Sequence, residues 1–140
     1  MRQVTMKAGM APPRIPHKQL EAIFRLDAAG RYEYFLEEVV AKQEAWGLFD
    51  DGWAMGTDAA GKPTFPLWPA RELAAACAMG PWEEFKPQEI SLEDLLEELL
   101  PMLKKDGVTP SLLRSPDGRS VLPEVDDLIA DLNSEMEYQA

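Results

Sequence analysis

Apolar residues recur every three or four positions in several stretches of the chain, which is the spacing of amphipathic helices. The clearest stripe consists of six leucines with acidic residues on the opposite face: Leu92, Leu95, Leu96, Leu99, Leu100 and Leu103. Ser91 stands where an N-cap is expected, three residues before Asp94. Pro101 should kink or break this helix, because it has no N–H to donate to the carbonyl of Glu97.

A second stripe predicts another half-buried helix with Asp27 as its N-cap, and it consists of Tyr32, Phe35, Leu36, Val39 and Val40. Weaker patterns predict three further helices. The first begins near Pro16 and ends by residue 26, the second runs from Pro69 to about residue 79, and the third runs from Glu124 to about residue 138.

Residues 46–68 have almost no helical periodicity, and they contain three of the four tryptophans. We predict a three-strand meander with strands at 46–49, 53–56 and 64–68, separated by turns at 50–52 and 58–61. Pro66 cannot donate a hydrogen bond to a neighbouring strand, which indicates a sheet edge or a bulge. A strand at 85–90 and a second hairpin around the turn at 115–118 complete the β-structure.

These elements predict an α+β domain. We expect a mixed, mainly antiparallel sheet of about five or six short strands, with helices packed mostly on one face. The first residues are polar, contain glycine and proline and show no periodicity, so we expect residues 1–14 to form a flexible N-terminal tail and residues 15–140 a single domain.

The charge distribution limits the expected partners. The chain has 140 residues, of which 46% are hydrophobic, and a formal net charge of −11. Lys and Arg nearly balance Asp and Glu as far as Trp82, whereas five basic residues oppose fifteen acidic ones after it. Because such a surface repels phosphate and anionic lipid, we expect another protein as partner, and neither nucleic acid nor membrane.

Cys77 is the only cysteine, so it cannot form an internal disulfide, and no other ligands gather near it in the sequence. We therefore expect no metal and no cofactor, and a reducing cytoplasmic location. The N-terminal residues have no continuous apolar segment typical of a signal peptide. Alanines surround Cys77, which favours a buried core thiol.

Few residues suggest catalytic chemistry. Asp50, Asp51 and Asp58 carry carboxylates of the kind that bind calcium, but their spacing does not match a calcium-binding loop, and aspartates of this kind favour turns. His17, the only histidine, lies near the expected tail, where a general base would be poorly held. We therefore predict no catalytic residue.

The tryptophans leave more than one interpretation open. Trp46, Trp53, Trp68 and Trp82 fall within 37 positions. They are expected either to fill the core beneath the helices, to line a pocket for a flat ligand, or to anchor a partner protein. With Asp51, these four tryptophans form our candidate ligand or partner surface.

Four short motifs occur together in one order: Trp46-Gly47-Leu48, Asp51-Gly52-Trp53-Ala54, Pro66-Leu67-Trp68-Pro69 and Ala75-Ala76-Cys77-Ala78. This combination resembles a family of small bacterial proteins known as domain of unknown function 2750. The resemblance extends to the helix at 32–39, the leucine-rich helix and the turn at 116–118. It implies no assigned activity, and therefore no catalytic residue to transfer.

We expect a small cytoplasmic bacterial protein that binds another protein without catalysis, as an adaptor or an immunity-like protein does. The charge asymmetry and the missing nucleophile and base motivate this hypothesis. The alternative is a small-ligand-binding domain, or an enzyme using carboxylates, with Asp51, Trp53 and Trp68 around a tryptophan-lined pocket. Both hypotheses leave the oligomeric state open.

Overall fold

The computed structural model describes residues 15–140, so the predicted tail lies outside the described residues. The helices and strands of this part are, in chain order, α1 (His17–Phe24), α2 (Ala28–Lys42), β1 (Glu44–Phe49), β2 (Gly56–Thr57), β3 (Pro63–Leu67), α3 (Arg71–Ala76), β4 (Lys86–Ser91), α4 (Leu92–Asp94), α5 (Leu100–Asp106), β5 (Thr109–Leu112) and α6 (Val125–Gln139). A 3₁₀ helix spans Gly80–Trp82, and a π-helical segment, Leu95–Leu99, joins α4 to α5. The α+β class is confirmed.

The strands form two small sheets instead of the single sheet that we expected. β1 pairs antiparallel with β4, while β3 lies between β2, which is antiparallel to it, and β5, which is parallel. A single bridge joins the sheets, because the backbone N–H groups of Trp46 and Trp68 each donate to the other residue's carbonyl, at 2.7 and 2.8 Å. The five strands in the described residues stand at the lower end of our prediction.

The predicted meander is only partly correct. β1 takes β4 as its ladder partner, and its backbone pairs with the next segment only through a bridge between Phe49 and Trp53 in the described residues. Of the expected strand at 53–56, only Gly56 lies in a strand, the two-residue β2, while Trp53 forms an isolated bridge. Pro66 lies in β3, between the pair Gly56–Thr64 and the bridge to Trp46, so its missing N–H falls where β3 changes partners.

Two hydrophobic clusters cover opposite faces of the strands, because successive residues of a strand point in opposite directions. Phe65 and Leu67 of β3 belong to the larger cluster, which the longer helices α2 and α6 and the leucine-rich helix cover. Trp68 belongs to the smaller cluster, together with residues of α1 and α3. The helices therefore lie mostly, but not entirely, on one face.

The predicted caps and apolar stripes are confirmed. The Asp27 carboxylate accepts a hydrogen bond from the N–H of Gly30 at 2.8 Å, and the Ser91 hydroxyl accepts one from the N–H of Asp94 at 3.0 Å. Both side chains pair backbone donors that the first helical turn leaves unsatisfied. The hydroxyl of Tyr32 donates to Asp131 and so connects α2 with α6.

Pro101 neither interrupts the leucine-rich helix nor ends it. The N–H of Leu100 donates to the carbonyl of Leu95, which is the five-residue spacing of a π-helix. This wider turn comes immediately before the proline, where the regular ladder would lose a hydrogen bond. The helix therefore continues from residue 92 to residue 106, and its lysines Lys104 and Lys105 precede a left-handed glycine cap at Gly107.

Candidate functional site

Trp68 is a core residue. Its side chain has no exposed surface, and its indole Nε1 donates to the carbonyl of Arg114 at 2.9 Å. Trp82 meets it edge to face, with the ring centroids 6.5 Å apart. For this tryptophan the core interpretation is therefore correct.

Trp46 is half-buried in the same smaller cluster. Its indole Nε1 donates to a carboxylate oxygen of Glu44 at 2.9 Å, on the same face of β1. Trp46 therefore has a local partner for its polar atom, and its role in the structure is to close the edge of the smaller cluster.

Trp53 belongs to the other face of the molecule, so it lines no common pocket with Trp68 in the described residues. It is half-buried against the larger cluster, and Phe49 and Phe65 hold its ring, with centroids 5.1 and 5.6 Å away. A Cβ at Gly47 would lie 2.9 Å from the Trp53 ring, so glycine is needed there for the ring to pack.

One side of Trp53 opens into a groove of about 470 Å³ beside the leucine-rich helix, which we call the Trp53 groove. Its other lining residues are Glu89, Ile90, Asp94, Glu98, Leu99 and Met102. Met102 is 47% exposed, and the three carboxylates are exposed. The groove thus combines an apolar floor with an acidic rim, and it brings one predicted tryptophan next to the acidic helix face.

Trp82 lies in a second cleft, also of about 470 Å³, between β2, the 3₁₀ helix and the turn after β5. We call it the Arg114 cleft, because the guanidinium carbon of Arg114 stands 5.1 Å from the centroid of the Trp82 ring. This distance is typical of a cation–π contact. Arg114 did not figure in the sequence prediction, since its partner Trp82 is distant in the sequence.

The aspartates of residues 46–68 behave as turn residues. The Asp58 carboxylate accepts hydrogen bonds from the N–H groups of Ala60 and Lys62, at 2.9 and 2.8 Å. Asp51 is exposed in a turn with a φ of 59°, and it lines neither the groove nor the cleft. The structure therefore places Asp51 away from the tryptophan faces with which the prediction grouped it.

Cys77 and His17 have the surroundings that we predicted. Cys77 is 3% exposed, its Sγ donates to the carbonyl of Arg114 at 3.1 Å, and burial raises the pKa of the thiol to about 12. A thiol that stays protonated is a poor nucleophile. The imidazole of His17 is exposed on α1, where its nearest carboxylate is Glu21, at 3.4 Å.

Arg31 is a buried residue that the sequence analysis missed. Only 3% of it is exposed, and its guanidinium donates to the carbonyls of Leu26, Phe24, Leu113 and Arg119. Leu113 has a φ of 51°, a strained value for a residue with a Cβ, and its carbonyl accepts from Arg31 at 2.8 Å. Arg31 thereby connects the start of α2 to the turn at 113–119.

A third cleft, of about 730 Å³, lies between the leucine-rich helix, β5 and the start of α6. Lys104 and Asp126 form an exposed ion pair at 2.9 Å at this cleft. Its lining also contains Asp58 and Lys62, so its charges are mixed and partly paired. An exposed pair of this kind contributes little free energy. With Glu124 and Asp127, the lining has four carboxylates and two lysines, so negative charge predominates in this cleft.

In residues 15–140, no group of three His, Cys, Asp or Glu side chains is arranged to hold a metal ion. None of the described helices is long and apolar enough to cross a membrane.

The fold defines a small α+β domain with two hydrophobic clusters, and two of its openings, the Trp53 groove and the Arg114 cleft, have a tryptophan in the wall. The sequence matches the family described as Protein of unknown function (DUF2750) over residues 32–132, and the chain belongs to this family. The predicted resemblance is therefore confirmed. The matched region includes both openings but leaves out α1 and Arg31. No curated protein matches the sequence.

Proposed function

We propose that the protein is a non-catalytic binding module that holds a basic, partly apolar segment of another protein in the Trp53 groove. The observation that supports this proposal is the combination of an exposed apolar floor and an acidic rim in one groove. The proposal includes a cytoplasmic location, which the single free thiol supports.

The floor of the Trp53 groove is rigid where it must anchor a partner and adaptable at its margin. Phe49, Phe65 and the close approach of Gly47 fix the Trp53 ring, so binding costs little side-chain entropy there. Met102 is flexible and 47% exposed, so it adjusts to different apolar side chains. A held tryptophan beside a flexible methionine is typical of a protein-binding surface.

The carboxylates of the rim favour a partner segment with positive charge. Glu89 comes from β4, while Asp94 and Glu98 come from the leucine-rich helix, and within residues 15–140 the lining of the groove includes no lysine or arginine. Three exposed carboxylates around an apolar floor attract a segment that carries Lys or Arg beside apolar residues. The exposure of these carboxylates favours steering of a partner, and it makes binding sensitive to salt.

The proposal is tested with two labelled peptides that share two leucines and differ only in the flanking residues, Lys and Arg in one and Glu in the other. We expect the basic peptide to bind the full chain and the acidic peptide not to bind. Because the attraction is electrostatic, the affinity should fall as salt is added. Equal binding of both peptides would contradict the proposal.

Charge-neutral variants show whether the bound peptide occupies the groove. The triple variant Glu89→Gln, Asp94→Asn, Glu98→Gln should weaken binding at least about tenfold, because it removes three attractive charges. The matched control, Glu33→Gln, Glu83→Gln, Glu84→Gln, removes three exposed carboxylates outside the groove. If both triple variants lose affinity equally, the peptide responds only to net charge and the groove is not its site.

The apolar half of the proposal has its own control. Met102→Ala should weaken binding of the basic peptide, whereas Leu122→Ala, a change at another exposed apolar residue that lines neither tryptophan-containing opening, should leave it unchanged. Equal effects of the two changes would assign binding to a different surface.

A further inference from the structure

The Arg114 cleft has a charge opposite to that of the chain as a whole. The chain contains 25 acidic residues, but none of them lines this cleft, and Arg114 is its one charged lining residue within the described part. Its walls include Met55, Met79 and Trp82, and the two methionines are 42% and 52% exposed. The cleft is therefore an apolar recess with a single cation.

Two buried side chains hold the backbone of Arg114 in place. Its carbonyl accepts two hydrogen bonds, one from the indole of Trp68 at 2.9 Å and one from the thiol of Cys77 at 3.1 Å. Both donors are buried, so this carbonyl is shielded from water and its orientation is fixed. The side chain of Arg114 thus begins from a rigid position.

The N–H groups of the Arg114 guanidinium remain available for hydrogen bonds to a ligand. It lies over Trp82, whose ring the buried Trp68 supports edge to face. Among residues 15–140, the Arg114 guanidinium donates no hydrogen bond and forms no ion pair with another side chain. Stacking occupies the face of the guanidinium but leaves its N–H groups, which lie in its plane, free for an acceptor.

Two glycines keep the space around this fork clear. A Cβ at Gly56 would lie 3.9 Å from one terminal nitrogen of Arg114 and 3.8 Å from the Trp82 ring. A Cβ at Gly118 would lie 3.7 Å from the other terminal nitrogen. Side chains at either position would touch the guanidinium, so their absence leaves room for a ligand group of similar size.

We propose that the Arg114 cleft is a second binding site, which takes a carboxylate attached to an apolar group. The carboxylate pairs with the fork of Arg114, and the apolar part lies against Trp82 and the two methionines. Planar carboxylates match the two parallel donors of arginine. A phosphate fits less well, because the cleft offers one cation and otherwise apolar walls. This site does not depend on the Trp53 groove, and either proposal can fail alone.

Two sources supply this ligand chemistry, namely the C-terminus of a peptide that ends in an apolar residue and a free carboxylic acid. The probes are acetyl-Gly-Gly-Leu with a free C-terminus and 3-phenylpropanoate, each compared with its own primary amide. Binding is followed by NMR on the full chain, through the indole N–H signal of Trp82. We expect each acid to bind at least about tenfold more tightly than its amide, because the amide loses the charge-assisted pair.

The relative affinities identify the source, since a preference for the tripeptide indicates a peptide C-terminus and a preference for the free acid indicates a small molecule. Equal binding of acids and amides, binding of inorganic phosphate in place of either acid, or no shift of the Trp82 signal at millimolar concentrations would each overturn the proposal. Arg114→Gln should reduce acid binding at least about tenfold and leave amide binding unchanged.

Two further variants separate recognition from folding. Arg114→Lys keeps the charge but loses the fork, so it should bind the acids more weakly than the natural chain does. Tyr138→Ala changes an exposed residue that lines neither opening, so this variant should bind the acids normally. If Arg114→Gln lowered the melting temperature strongly and Arg114→Lys bound the acids as well as the natural chain, Arg114 would be a structural residue and the proposal would be wrong.

Discussion

Arg114 belongs to the turn at residues 113–119, and Arg31 of α2 donates hydrogen bonds to the same turn. The two residues nevertheless use their guanidinium groups in opposite ways. Arg31 is 3% exposed, and its guanidinium donates hydrogen bonds to backbone carbonyls, including that of Leu113. Arg114 is half-buried and stacks on Trp82. One arginine fixes the turn, and the other projects from it into an open cleft.

The difference shows how burial decides the role of a charged side chain. Burial, and to a smaller extent the charge of Arg119, lowers the pKa of Arg31, because both disfavour its cationic form. The carbonyl dipoles around Arg31 offset this cost, and no carboxylate touches its guanidinium in the described part of the chain. Arg31, whose burial the surrounding carbonyls offset, therefore stabilises the fold, whereas the guanidinium of Arg114 remains available to a ligand.

Replacing Arg31 gives the largest expected effect. Arg31→Met should lower the free energy of unfolding by roughly 3–5 kcal/mol, because several buried carbonyls lose their donor at once. Arg114→Met, the matched change at the same turn, should cost less than about 1 kcal/mol. Urea denaturation measures both, and equal losses would mean that the two arginines do not differ in role.

Changing Trp68 tests whether the turn holds Arg114 in position. Trp68→Phe removes the indole donor and part of a fully buried side chain, so it should cost roughly 2–3 kcal/mol. It should also weaken carboxylate binding at the Arg114 cleft without affecting peptide binding at the Trp53 groove.

Trp46→Phe is the control for this change. Trp46 is half-buried, and its indole bonds only to Glu44, so the cost should be about 1 kcal/mol. A normal affinity of Trp68→Phe for carboxylates would show that the Arg114 backbone does not need its buried donor.

The smallest expected effect concerns pH. Hydrogen bonds from the Ser115 hydroxyl and from the N–H of Arg119 lower the pKa of Asp117 from 3.8 to about 2. Because the folded chain binds this proton less well than the unfolded chain does, the contribution of Asp117 to stability is complete above pH 3.8 and is lost as the pH falls towards 2.

Asp117→Asn should therefore flatten the pH dependence of the urea midpoint in this window and leave the rest of the curve unchanged. Asp106→Asn, a change at an exposed aspartate outside the turn, is the control. An unchanged slope in Asp117→Asn would show that these hydrogen bonds add no stability to the turn that carries Arg114 and contacts Arg31.

Local patterns predicted the helices well, because their signals lie within a few residues. The caps at Asp27 and Ser91 and the apolar stripes of α2 and the leucine-rich helix are examples. The position of Arg31 also carried a signal that we did not use. It stands four residues before Phe35, on the buried stripe of α2.

Contacts between distant residues were harder to predict. β1 pairs with β4 and not with the segment that follows it, because a ladder of six residue pairs outweighs a tight local turn. The contact of Arg114 with Trp82 depends on the parallel pairing of β3 with β5, which no local pattern reveals. The division of the candidate tryptophans between two faces was therefore not predictable from local patterns.

The bridge between Trp46 and Trp68 has a consequence for how the molecule opens. It is the one backbone pairing described between the two sheets, so the amide protons of these two residues are protected from exchange only while the sheets stay joined. If the two sheets separate before the chain unfolds, these protons exchange faster than those inside either sheet. The rate of hydrogen exchange at this joint thus reports whether the two halves behave as one cooperative unit.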